Sequence, residues 1–274
     1  MTSAAPETRI SRRFSQLRAR GAKGLVAYLT AGDPSPDETV ELVLALERGG
    51  ADVVELGVPF SDPVADGPVI LAAAERALRA GTSLRRVLGI AKEIRRRSQI
   101  PLLLFSYFNP LLRYGMETLA RDCAEIGIDG CLVTDLCVEE AQDYVQAFRA
   151  RGLDTVFLAA PTSTQHRLQL VADCSTGFVY LVSRMGVTGE RQALSETAAP
   201  LAAAMRAVTD LPLAVGFGVS APEHVAQVGR VADAAVVGSA FVRVVERNPG
   251  SPSLALQLES MARELKHGFD RNES

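Results

Sequence analysis

Short apolar runs and amphipathic stretches alternate along almost the whole chain. Strand-length runs fall at Leu25–Leu29, Val53–Gly57, Leu102–Ser106, Gly130–Thr134, Thr155–Leu158, Phe178–Val182, Leu213–Gly216 and Ala235–Val237. Stretches with helical spacing lie between them, among them Asp37–Arg48, Leu84–Arg97, Glu117–Ile126, Glu139–Arg151 and Pro222–Val228. The strand runs are nearly continuous in apolar residues, the pattern of a parallel sheet covered on both faces. Eight such strand–helix units predict an α/β fold closed into a single (β/α)8 TIM barrel. An open doubly wound sheet is the competing arrangement, but no GxGxxG follows a predicted strand to support it. Ahead of the first strand, Ile10, Phe14 and Leu17 share one helical face and predict an additional N-terminal helix. Residues 1–274 read as one domain, with flexible tails expected at 1–9 and 268–274.

Composition agrees with this picture and removes some partners. Of 274 residues, 47% are hydrophobic and 22% charged, enough apolar material for the large core of a barrel. A net charge of −3, with no long block of one sign, implies neither nucleic acid nor an anionic membrane. Arg95, Arg96 and Arg97 read as a solvated helix end. No apolar run approaches the roughly 20 residues that span a bilayer. The polar, Arg-rich start from Met1 to Arg20 lacks the apolar stretch of a signal peptide. A transit peptide is the competing reading of that start, against the helical stripe just noted. Cys123, Cys131, Cys137 and Cys174 show no CxxC spacing and read as small buried residues with reduced thiols, as in a cytoplasmic protein.

Chemistry in such a barrel is expected where strands end at their C-terminal rim. In the second predicted strand, alternation puts Val53, Glu55 and Gly57 on one side and Val54 and Leu56 on the other. With Val54 and Leu56 under the helices, Glu55 points into the barrel. There a carboxylate is costly unless paired, and its pKa is expected to rise. A buried salt bridge is the structural alternative. Yet lysine occurs only at 23, 92 and 266, and no arginine lies inside a predicted strand, which favours an acid–base role. The following loop, from Val58 to Pro68, holds three prolines and two acids, so it is shaped by fixed backbone angles. Asp62 and Asp66 could serve as turn formers. Two acids near Glu55 would also suit a metal, but His166, His224 and His267 all lie far away in sequence, and no metal site is expected.

The last two predicted strands run into Gly216-Phe217-Gly218-Val219-Ser220 and Gly238-Ser239-Ala240. Small residues at these two strand ends let backbone N–H groups approach an anion, at the usual phosphate site of the architecture. After the sixth strand, the polar and glycine-punctuated segment from Ser183 to Arg191 suits a lid, or an ordinary exposed loop. The inventory also narrows the chemistry. Lys23, the lysine nearest a strand, precedes the first strand and sits at the wrong rim for a Schiff base. Either protons and hydrogen bonds suffice for the reaction, or the substrate carries its own electron sink.

From roughly Arg12 to Lys266 the chain resembles the tryptophan synthase alpha subunit family. The segment from Glu55 to Pro68 carries the most specific likeness. It is joined by Leu29-Thr-Ala-Gly-Asp-Pro34, Ser183-Arg-Met-Gly-Val-Thr-Gly189 and the two glycine motifs. The resemblance implies retro-aldol cleavage of indole-3-glycerol phosphate to indole and glyceraldehyde 3-phosphate, with the indole ring as the built-in sink. It implies Glu55 as the acid–base and Asp66 as the hydrogen-bond partner of the indole N–H. Gly189, Gly218, Gly238 and Ser239 match phosphate-binding positions. Tyr28, Phe105, Tyr107, Leu132 and Tyr180 match pocket-lining ones, and Arg184 and Thr188 match the lid. No cofactor is implied in this chain. Pyridoxal phosphate is expected in a partner beta subunit, which receives indole through a tunnel in an α2β2 complex. Cys137 and Ala27 stand where the family commonly has proline, the first near the partner-facing loops.

Overall fold

The computed structural model describes residues 7–182, 193–216 and 218–272. Nine parallel strand segments form one sheet: β1 (Gly24–Thr30), β2 (Val53–Gly57), β3 (Leu102–Ser106), β4 (Gly130–Val133), β5 (Asp154–Val156), β6 (Leu158–Ala159), β7 (Val179–Val182), β8 (Leu213–Gly216) and β9 (Ala234–Val237). Neighbours run in the order β5-β4-β3-β2-β1-β9-β8-β7-β6. The outermost segments, β5 and β6, are the two halves of the fifth predicted strand, separated by Phe157. One half pairs with β4 and the other with β7, so the sheet closes on itself. Phe157 O accepts the Tyr180 N–H at 3.1 Å across the seam.

Helices α1 (Arg9–Ala19), α2 (Pro36–Arg48), α3 (Pro68–Arg79), α4 (Leu84–Arg97), α5 (Phe108–Tyr114) and α6 (Met116–Ile126) belong to the first half of the chain. In the second half come α7 (Gln142–Arg149), α8 (Gln165–Cys174), α9 (Ala193–Arg206), α10 (Pro222–Val231), α11 (Ser239–Arg247) and α12 (Leu254–His267). Their onsets follow local chemistry. Ser35, Ser83 and Thr164 accept N–H groups of the first turn in α2, α4 and α8, and α2, α3 and α10 begin with proline.

Two apolar layers result. Outward residues such as Val54, Leu56, Leu102 and Leu104 pack under the helices. Inward residues Val26, Val53, Leu103, Val156, Phe178, Ala214 and Ala234 fill the barrel, where Ile10, Phe14 and Leu17 of α1 join them. The N-terminal helix is therefore a plug in the bottom of the barrel, with Phe14 and Phe178 rings 5.6 Å apart.

Around the plug runs a set of aspartates, buried except for the half-buried Asp233, each just before or at the start of a strand. Asp52 accepts the Leu25 N–H at 2.6 Å and pairs with Arg13 and Lys266. Asp129 accepts the Leu102 N–H at 2.8 Å and pairs with Arg9 and Arg95. Asp233 accepts the Leu213 N–H at 2.8 Å beside Arg206. Thr8, the cap of α1, donates to Asp154, whose carboxyl burial pushes up to about 6. The clamps at Asp52, Asp129 and Asp233 each satisfy a strand-end amide and a carboxylate together, which is how charge away from water is tolerated.

Three expectations change. Arg95 does not share the solvated helix end of Arg96 and Arg97: its side chain is 10% exposed and donates to the carbonyls of Gly127, Ser98 and Ile100. Gly268–Asn272 is not a loose tail but a 3-10 turn, because Phe269 is buried and Gly268 lies against Pro222. Of the free cysteines, Cys123 and Cys131 are buried, whereas Cys137 is exposed and Cys174 half-buried.

Candidate active site

Inward positions are sealed at the α1 end and open at the other. Phe105, Leu158, Tyr180 and Val182 are half-buried, the first three packed against the fully buried inner cluster, and they mark the mouth. Glu55 sits just inside it, level with Tyr28 of β1 and Leu103 of β3. It is 1% exposed, and its Oε1 has no hydrogen-bond partner among the described residues. Burial alone pushes its carboxyl up to about 8. The alternative of a buried salt bridge is not met: no cation pairs with Glu55 among the described residues.

Two tyrosines flank it, each given room by a glycine. A methyl group at Gly57 would lie 2.2 Å from the Tyr28 hydroxyl, and one at Gly216 would lie 2.1 Å from that of Tyr180. These approaches leave only a hydrogen at either position. The Tyr28 hydroxyl lies 3.2 Å from Thr30 Oγ1, and its ring meets Phe105 edge-on at 5.2 Å. Its phenol is pushed up first by burial, then by the negative charge of Asp66 and, less, of Glu55, while the Thr30 hydrogen bond offsets some of the rise. Tyr180 is pushed up by burial and by Glu55.

Asp66 hangs over this mouth on the loop after β2. Partial burial raises its carboxyl, and the Tyr107 hydroxyl offsets some of the rise. Tyr107 is expected in the pocket wall, but it also supports the loop: it is 3% exposed, accepts the Ala65 N–H at 3.1 Å and stacks near Phe60 at 5.3 Å. Burial pushes its phenol up to about 12. Leu132 is fully buried in register with Phe105, behind the mouth rather than open to it.

The two glycine ends meet side by side. Gly216 pairs with Val236, so β8 and β9 end as neighbours, with Gly218 and Gly238 each just beyond its strand. Gly218 has φ +78°, a conformation that favours glycine, and Gly238 with Ser239 opens α11. Gly238 lies against Tyr28, where a methyl group would meet the Tyr28 side chain at 3.5 Å, so the N-terminus of α11, an end that favours anions, starts beside that tyrosine. Gly189, Arg184 and Thr188 lie outside the described residues. Among those described, no three His, Cys, Asp or Glu side chains gather into a group able to hold a metal ion.

Leu158, Thr30 and the space-giving role of Gly57 and Gly216 escape the sequence reading. The available signal is an inward glycine beside a strand that carries an inward tyrosine.

A family model described as tryptophan synthase alpha chain matches residues 14–270. The chain belongs to the tryptophan synthase alpha family. The tryptophan synthase alpha chain of Solibacter usitatus is 64% identical over 262 residues, covering 96% of this chain and 98% of that one. That of Thioalkalivibrio sulfidiphilus is 48% identical over 265 residues, covering 96% and 100%. Among solved structures, tryptophan synthase subunit alpha from Legionella pneumophila superposes with a TM-score of 0.87 at 34% identity, covering 96% and 99%. A structure of Mycobacterium tuberculosis tryptophan synthase also gives 0.87, at 37% identity, covering 96% and 98%. Tryptophan synthase alpha chains are carbon–carbon lyases that cleave indole-3-glycerol phosphate in tryptophan biosynthesis, and the alpha family has no cofactor of its own. The family barrel accounts for the closed strand order, and the mouth holds Glu55, at the head of the motif that carries the most specific likeness.

Proposed function

We propose that this chain performs the alpha reaction with Glu55 as the proton carrier and Asp66 as the partner of the indole N–H. The observation that carries the proposal is Glu55 itself, buried at the mouth, without a cation among the described residues and raised to about 8. A carboxyl of that kind holds its proton near neutral pH and can give it up and take one back. Its proton goes to ring carbon 3, making an indolenine that accepts electrons. The resulting carboxylate then takes the proton of the neighbouring side-chain hydroxyl. The carbon–carbon bond breaks, its electron pair restores the aromatic ring, and the hydroxyl carbon leaves as the aldehyde of glyceraldehyde 3-phosphate. Asp66 stabilises positive charge on the ring nitrogen between these steps. Tyr28, Phe105 and Tyr180 enclose the ring with Leu132 and Tyr107 behind them. Gly218, Gly238 and Ser239 hold the phosphate with Gly189, and Arg184 and Thr188 close over it.

The partner in this reading is a beta subunit that carries pyridoxal phosphate, in a cytoplasmic α2β2 complex. Val64, 84% exposed at the loop that carries Asp66, and Leu112, exposed on α5, leave apolar surface at the same rim, as such a contact requires. No helix among the described residues is long and apolar enough to cross a membrane. Indole release from indole-3-glycerol phosphate, measured for the chain alone and then with a beta subunit, tests both the chemistry and the partner. Slow release that rises on addition is expected. No release under either condition would overturn the activity, and equal rates would leave a free-standing lyase.

A further inference from the structure

Between β8 and α10 the chain makes a short turn that carries Gly218. Two anchors follow that glycine. The Val219 side chain is buried in the outer core, which fixes the position of the turn but not the tilt of its peptide planes. The Ser220 N–H donates to Nδ1 of His224 at 3.3 Å, with Ser220 Oγ 3.5 Å from the same nitrogen. His224 is the third residue of α10, and the N-cap of that helix, Ala221, has no side chain able to accept a hydrogen bond. In a capping box a Glu or Gln at the third position accepts the N-cap amide. In α10 an imidazole at that position accepts instead the amide of the residue before the N-cap. To accept, Nδ1 presents its lone pair to the Ser220 amide.

We propose that His224 is a positioning residue for the phosphate subsite. Its Nδ1 holds the Ser220 amide and thereby the tilt of the turn from which the Gly218 N–H reaches a phosphate monoester. The inference rests on the assignment of Gly218 to phosphate. A lost hydrogen bond of this exposed kind weakens the held state by about 3- to 10-fold.

The test compares His224→Ala and His224→Gln in two assays. Steady-state indole release gives kcat and KM for indole-3-glycerol phosphate. Titration with sn-glycerol 3-phosphate, followed at the Gly218 amide resonance, reports the subsite directly. His224→Ala is expected to raise KM and weaken glycerol 3-phosphate by about 3- to 10-fold, with kcat and the affinity for phosphate-free indole unchanged. His224→Gln, whose Oε1 can accept, is expected to recover most of the loss. An unchanged KM in His224→Ala overturns the proposal. So does a parallel fall in kcat and indole affinity, and so does a glutamine variant no better than alanine. A Gly218 amide that ignores glycerol 3-phosphate in the unsubstituted chain overturns the subsite assignment itself, and the role of His224 with it.

Discussion

The two ends of the barrel treat buried carboxylates in opposite ways. At the α1 end, Asp52 and Asp129 each accept a strand-end amide and pair with two cations. At the mouth, Glu55 is as deeply buried but has no cation beside it among the described residues, and its proton affinity rises instead. The same functional group is thus a fastener at one rim and a proton store at the other. What differs is whether arginine, lysine and free N–H groups are within reach.

Glu55→Gln probes the contrast most strongly. It is expected to cut kcat by about 10²- to 10⁴-fold, the usual share of a general acid–base, while leaving the fold intact. Activity near the level of the unsubstituted chain would refute the assignment. Stability against pH gives an independent view. Because the folded-state value of about 8 lies above the ordinary 4.5, the native chain keeps a proton that the unfolded chain releases. Stability from Glu55 is therefore full below 4.5 and is lost as pH rises towards about 8. Melting curves from pH 6 to 8 should fall in the parent chain and flatten in Glu55→Gln. Asp154, raised to about 6, contributes a similar decline only at lower pH.

At the other end, Asp129→Ala should leave Arg9 and Arg95 facing a lost partner and the Leu102 N–H unsatisfied. A destabilisation of about 3–5 kcal/mol is expected in urea unfolding, with KM in the surviving folded fraction close to normal. A loss below about 1 kcal/mol would place the clamp among ordinary surface pairs. Gly57→Ala is the mildest of the three. Its methyl group meets the Tyr28 hydroxyl, so about 1–3 kcal/mol of overpacking is expected, together with reduced turnover as Tyr28 shifts beside Glu55. A variant of unchanged stability and rate would show that Tyr28 has slack.

Much of this was legible in the sequence because parallel barrel strands are short, apolar and regularly spaced. The inward direction of Glu55 follows from strand alternation, and the glycine pair after β8 and β9 from the architecture. The α1-end clamps were hidden for a definite reason. Asp52 and Asp129 lie one residue before their strands, and their cations come from α1, α4 and α12, so no local pattern links them. Arg95 looks like its neighbours Arg96 and Arg97 until the turn after α6 brings the Gly127 carbonyl to it. Tyr107 shows the same limit at the mouth, since its hold on Ala65 depends on how the loop after β2 folds back over β3.

The plug helix has a consequence for how the chain is made. Its contacts reach 39 residues ahead from Arg13 to Asp52, 120 from Arg9 to Asp129 and 146 from Thr8 to Asp154. Read backwards along α1, these partners leave the ribosome in the same order. The first helix to be synthesised therefore meets its partners piecemeal as the barrel grows, and Phe14 and Arg18 wait for Phe178 and Asp210. It is seated only after more than half of the protein exists, so the earliest segment completes one of the latest contacts.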